Sequence, residues 1–458
     1  MRRFRTILFW AHLVVGLTIG LFIAAMAGTG IVMAFERQIV EFVERGDGKP
    51  PAVATQRLDI ETLLAKAREA KPDAAIEGIT LEADRNSTAS VSLGRNQRVQ
   101  LNAYTGVVVG SEAPKLREFF HTVEELHRWL ALTGQWHDRG QAVTGATAIG
   151  LVGLIVSGLY LWLPRKLRWA SIKPVLLFNW TLRGKARDWN WHNVIGFWVL
   201  VPLLIIALTG VVMSYDWANR LLFVAVGDTP PPPRERGPAT QPTGETRRQR
   251  QGGEGAAPDG ERRRSAGAAN FDGLNDLWTT AEEQAGEWTS ISMQLSAGRG
   301  RRGGARPTTA PSQARMTAGP EGASHSTDSR PVDDSRRTEG GARQPAGVTF
   351  VITNGIPTAP YNRRSITLNR RTGETIRTET FATQSPGRRA RSLVVPLHRG
   401  DLFGLPGQIV ATLASAGALL LVYTGVALSW RRFFGKAKRA RREALAAATE
   451  EATVGSNG

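Results

Sequence analysis

The 458 residues are enough for two or three domains, and none is cysteine, which excludes disulfides, thiolate metal sites, iron–sulfur clusters and the Cys-x-x-Cys-His attachment of c-type haem. The formal charge of +18 has the sign of a nucleic-acid binder, but much of the arginine lies in Gly- and Pro-rich low-complexity tracts, so no nucleic-acid partner is expected. Metal chemistry is left to carboxylates, methionine and the seven histidines.

In chain order, the basic head "MRRFR" leads into an apolar run at 9–34, longer than the h-region of a signal peptide and long enough to cross a bilayer. Residues 55–112 hold a helical pattern, "DIETLLAKAREAKP", and then short alternating runs, "AIEGITLEA", "TASVSLG" and "RVQLNAYTGVVVG". They predict a helix packed on a small antiparallel sheet. An amphipathic helix is expected over 116–132, with Phe119, Phe120, Val123, Leu126 and Leu130 in a stripe beside His127. A second span at 143–163, a basic loop at 164–190 and a third span at 193–214 follow.

Residues 229–270 are too polar to offset chain entropy and are expected to be a disordered linker. A second helix-plus-strands module at 271–384 carries a similar insertion at 297–346, which includes His325. A fourth span at 408–430 and a basic tail at 431–458 complete the pattern. The fold class expected is α+β in a membrane protein: a four-helix transmembrane bundle with two small external modules. Basic segments before span one, between spans two and three, and after span four put both termini in the cytoplasm, the bacterial inner membrane being the expected setting.

The chain repeats itself. His12, Gly16, Gly30 and Met33 each recur 180 positions later as His192, Gly196, Gly210 and Met213. Each copy reads His-x-x-x-Gly, then a span, then Thr-Gly-(Ile/Val)-Val-Met. Gly140, Gly150 and Gly158 recur 267 positions later as Gly407, Gly417 and Gly425, and Leu-His-Arg occurs at 126–128 and again at 397–399. A parallel tandem duplication of span, external module, Leu-His-Arg and span accounts for all of this.

Histidine within or beside a span is a functional candidate. In a pseudo-twofold bundle His12 faces His192 and His127 faces His398, so each pair can give two opposed imidazoles to a non-covalent b-type haem, and two haems are expected. Gly16 and Gly196 lie one turn beyond their histidines, where a flat macrocycle could approach the backbone. Arg2, Arg3, Arg5, Lys185 and Arg187 are placed to offset propionates. Met33 and Met213 read as core filler, with a Met/His outer site as the alternative, and His121 and His137 as external-surface residues, with a place lining a substrate approach as the alternative.

With "LNAYTG" and "LNRRTG" in the external modules, "LHRWL" and "LHRGDLFG", and the His-headed spans, the sequence resembles the PepSY-associated transmembrane family over nearly its whole length. The resemblance implies an inner-membrane di-haem reductase of ferric siderophores. Some relatives carry a fused flavodoxin- and reductase-like module. No flavin or nucleotide motif follows the fourth span here, so the donor is expected to be a separate flavin reductase or a quinol. The alternative expectation is a haem-free module that binds or regulates a peptidase or an iron-uptake partner.

Overall fold

The computed structural model describes residues 2–45, 56–84, 88–93, 97–109, 113–164, 168–232, 271–295 and 347–455. The expected insertion at 297–346 and most of the expected linker lie outside the described residues, as does His325.

Among the described residues three helices are long and apolar enough to cross a membrane: α1 (Arg2–Met33), α5 (His137–Trp162) and α12 (Gly404–Gly455). The expected third span is not one helix. It is built from α7 (Gly184–Trp198) and α8 (Leu200–Ser214), which pass the length test only together and meet at 66°. Pro202 explains the break. It has no N–H to give, and its ring would clash with the carbonyl four residues earlier, that of Trp198. The matching position in α1 is Phe22, and α1 runs straight through.

Short helices follow the spans. Helix α2 (Glu36–Arg45) extends from α1, and α4 (Pro114–Trp129) packs against α1 and α5. Helix α6 (Trp169–Leu176) packs on α7. In the second half α9 (Asp216–Ala225) extends from α8, and α11 (Pro386–Arg399) packs against α8 and α9. A buried ion pair ties α4 in place, Arg117 meeting Glu44 of α2 at 2.6 and 2.7 Å.

The remaining elements form one layer of sheet and one of helix. Helix α3 (Ile60–Ala70) starts at Asp59, whose carboxylate accepts the Thr62 N–H at 2.8 Å, and the second-half helix is α10 (Leu274–Ala285). Strands β1 (Ile76–Glu82), β2 (Thr88–Leu93) and β3 (Gln97–Asn102) belong to the first half. Strands β4 (Ser290–Gln294), β5 (Gly347–Thr353), β6 (Arg363–Asn369) and β7 (Thr375–Thr380) belong to the second.

The expectation of two separate modules is corrected here. All seven strands form one antiparallel sheet in the order β3-β2-β1-β4-β5-β6-β7 over a single core. The join is β1 with β4, from Gly78 opposite Gln294 to Glu82 opposite Ser290. Separate modules would each leave an open strand edge, and pairing them removes both. Gly78 permits the join, because a Cβ there would strike the Met293 carbonyl. Above the sheet the helices exchange bonds across the same axis, Glu61 N–H donating to Asn275 Oδ1 and Asn275 N–H to Glu61 Oε1, both at 3.1 Å.

Candidate functional site

Four imidazoles are held in the same manner. His12 Nδ1 lies 2.9 Å from Ser157 Oγ, His192 Nδ1 2.9 Å from Thr424 Oγ1, His127 Nδ1 2.8 Å from Thr29 Oγ1, and His398 Nδ1 3.0 Å from Thr209 Oγ1. The partner hydroxyls recur at the repeat spacings, 180 for Thr29 and Thr209 and 267 for Ser157 and Thr424.

The tautomer follows from donor counting. A hydroxyl has one hydrogen. Each of these donates it to the carbonyl four residues earlier on its own helix: Ser157 to Gly153, Thr424 to Leu420, Thr29 to Ala25 and Thr209 to Ile205. The oxygen can then only accept from the ring, so Nδ1 carries the proton. His398 Nδ1 also faces the Ile206 carbonyl at 3.0 Å, which likewise demands an N–H. All four rings therefore leave Nε2 as a bare lone pair, and no described residue hydrogen-bonds it. Burial also lowers His127 to about 4 and pushes His398 down, which keeps the outer rings neutral.

The residue after each hydroxyl is glycine, and its ring sits on it. A Cβ added at Gly158 would lie 3.3 Å from His12 Cε1, at Gly425 3.7 Å from His192, at Gly30 3.6 Å from His127 and at Gly210 3.5 Å from His398. This Ser/Thr-Gly seat was missed in reading the sequence, although all four glycines stood out as repeat matches.

His12 and His192 line one cavity of about 950 Å³. Gly16 and Gly196 also line it, but a Cβ on either would meet only Leu154 or Leu421, at ordinary contact distance. Of the basic residues assigned to this site, Arg5 and Lys185 line the cavity, and Arg432, which the sequence reading did not select, joins them. Arg2 and Arg3 are not among the lining residues. Arg187 is instead committed to buried Asp188, 3.0 Å from Oδ1. Arg431 approaches Oδ2 at 3.2 Å without hydrogen-bond alignment, so Asp188 ties α7 to α12.

His127 and His398 face each other with ring centres 6.2 Å apart and planes at 73°. Two imidazoles binding one metal through Nε2 from opposite sides place their ring centres ~6 Å apart, about 2 Å per metal–nitrogen bond and about 1 Å from nitrogen to ring centre. The outer pair has that spacing without help from methionine. Met33 is half-buried and Met213 is 37% exposed. His121 is exposed near Glu125, and His137 lies against Trp129, neither belonging to a pair.

Among the described residues no group of three His, Asp or Glu could hold a bare metal ion. Two imidazoles per site, with no further ligand group among the described residues, would fit a metal that brings the rest of its ligands with it. The family model of the PepSY-associated TM region matches residues 9–432. The chain belongs to this family. A comparison with curated proteins returns no match. Membership in the PepSY-associated family and the apolar helices together make the chain a multi-pass membrane protein.

Proposed function

We propose that this PepSY-associated protein is a di-haem b electron conduit of the bacterial inner membrane, which reduces the iron of a ferric siderophore or similar ferric chelate outside the cytoplasm. The observation that carries the proposal is the common setting of the four histidines, each with Nδ1 2.8–3.0 Å from a hydroxyl and Nε2 without a hydrogen-bond partner among the described residues. A structural histidine usually satisfies both nitrogens, and a haem-free peptidase-binding anchor would have no use for four that do not.

Haem b, when bound, supplies a one-electron ferric/ferrous couple whose potential follows its axial ligands and surroundings. His12 and His192 would hold the inner haem, and His127 and His398 the outer one. The hydroxyls orient the rings and raise their basicity. Arg5, Lys185 and Arg432 offset propionate charge at the inner cavity.

Between the two sites the bundle is filled by Ile23, Leu203 and Ala418, with Ile19, Leu154 and Val199 packed against them. Apolar packing of this kind gives a charged group no partner, which suits the passage of an electron better than that of an ion. In this reading four spans place both termini in the cytoplasm and the seven-stranded sheet outside, with a separate flavin reductase or quinol as donor.

The test is a reduced-minus-oxidised spectrum of the purified protein with a haem assay. Two haems b per chain are expected, and reoxidation of the dithionite-reduced protein by a ferric siderophore should stop when His127 or His398 becomes alanine. A colourless protein would refute the haem assignment. A coloured one that no ferric chelate reoxidises would refute the reductase assignment.

A further inference from the structure

The two Leu-His-Arg segments end differently. After His398 the chain turns through Gly400 (φ 75°) and Gly404 (φ 64°), glycines that take the left-handed region without strain, and Asp401 and Leu402 between them are buried. After His127 the same corner is longer and takes, besides Gly134 (φ 60°), Leu130 (φ 56°) and Ala131 (φ 55°). These are the only non-glycine residues with positive φ among the described residues. Strain of this kind persists only where the surroundings over-determine it and often marks a functional site.

The strained corner presents an aromatic and cationic surface. The Arg128 guanidinium lies 4.4 Å above the Trp129 ring, and Arg139 lies 4.3 Å from the Trp136 ring. The His137 ring sits 4.7 Å from Trp129, tilted by 38°. Trp136 is 48% exposed. Two carboxylates are close: Glu124 bonds Arg128 at 2.7 Å, and Asp138 lies 3.5 Å from His137 Nδ1. Arg139 keeps its charge for the indole face. Tryptophan at a span end is often a membrane-interface anchor. An anchor needs neither a strained backbone nor stacked guanidinium groups, and the second copy meets its surroundings there with exposed Phe403 and Leu405.

We propose that Trp129, Trp136 and His137, with Arg128 and Arg139, form a landing platform for a ferric chelate whose iron ligands are catecholate rings. The proposal rests on the electron-conduit reading for its purpose but not for its test. A catecholate carries a π face and negative oxygens in one group, which suits an indole already paired with a guanidinium. Citrate and hydroxamates offer oxygens without the ring. Trp129 is two residues from His127, so a chelate seated there lies beside the outer histidine pair.

The experiment uses the full-length protein in nanodiscs and gallium(III) tris-catecholate, which cannot be reduced by dithionite, in titration calorimetry against gallium citrate. Wild type should prefer the tris-catecholate. Trp136→Ala and Arg139→Gln should each cut that preference about tenfold, and Trp136→Phe should keep most of it. Absence of tris-catecholate binding to wild type would overturn the platform, as would undiminished preference in Trp136→Ala. A Trp136→Ala protein with a lowered melting temperature but unchanged preference would make the indole an interface anchor and overturn it too. If gallium tris-catecholate binds through Trp136 while the ferric complex fails to reoxidise the reduced protein, the platform stands and the electron-conduit reading falls.

Discussion

Replacing Ser157 by alanine should damage the inner site more than replacing Thr424 by valine, although both remove one hydroxyl from a histidine proposed to hold the inner haem. The Ser157 oxygen, at 2.9 Å, is the only described partner of His12 Nδ1. Near the His192 ring, besides the Thr424 oxygen at 2.9 Å, stands the Leu421 carbonyl, an acceptor that can take over the N–H. Thr424→Val thus costs one of two acceptors, worth ~1 kcal/mol, whereas Ser157→Ala leaves a buried N–H with none, worth ~1–3 kcal/mol. Loss of such a supporting bond typically weakens metal binding about 10- to 100-fold, which is ~1.4–2.8 kcal/mol. The Nδ1–H bond also makes the imidazole a better electron donor, so its loss should raise the inner haem potential. Haem content after competition with apomyoglobin and a potentiometric titration of the inner haem measure both effects. Equal behaviour of the two variants, or full haem and unchanged potential in Ser157→Ala, would refute the tautomer argument.

Three further outcomes are expected. Gly158→Ala, whose Cβ would lie 3.3 Å from His12, should lower inner-haem occupancy more than Gly425→Ala, where the gap to His192 is 3.7 Å, as haem per chain will show. Changing Lys185 and Arg432 together to glutamine should lower the inner haem potential and leave the outer one unchanged in a redox titration, because both cations line only the inner cavity described here. The Asp228 carboxylate, which accepts from the Ser385 hydroxyl and the Gly387 N–H at the start of α11, is held below the usual carboxylate range. A depressed folded-state pKa contributes stability above the unfolded pKa and loses it as pH falls through the folded one. Melting curves from about pH 6 to about pH 3 should therefore show an acid-side loss in wild type that Asp228→Asn lacks.

Much of the candidate site was legible because it is duplicated. His12 could be paired with His192 from the spacing of 180 and His127 with His398 from the Leu-His-Arg around each, and the partners Thr29 and Thr209, Ser157 and Thr424 stand at the repeat spacings of 180 and 267. The hydroxyls themselves were passed over because serine and threonine in an apolar helix ordinarily bond back to their own carbonyls, as these also do. Only the positions across the groove reveal the second bond. The join of β1 to β4 was hidden for a related reason. Alternating patterns show which face of a strand is buried but not which edge it presents, and the strands lie more than 200 residues apart. The break at Val199 was readable from Pro202, but the strength of the hydropathy signal on both sides of it masked the proline.

The joined sheet bears directly on the outer site. His127 hangs from α4 in the first half and His398 from α11 in the second, so their 6.2 Å separation depends on how firmly the halves are held together at that end. Within the bundle the halves meet through α1 with α12 and α5 with α8. At the outer end the β1–β4 ladder, the Thr80–Ser292 hydroxyl contact at 2.7 Å and the crossed Glu61–Asn275 bonds do the same for the two external halves. Buried Gln408 adds a further link, bonding Gln38 after α1 and Asp401 after α11, both at 2.6 Å. A ligand pair shared between two halves must be pre-set to the metal's own span, because each ångström of misfit is taken from binding. The β1–β4 edge pairing and the Gln408 bonds thus join the two halves of the chain that carry His127 and His398.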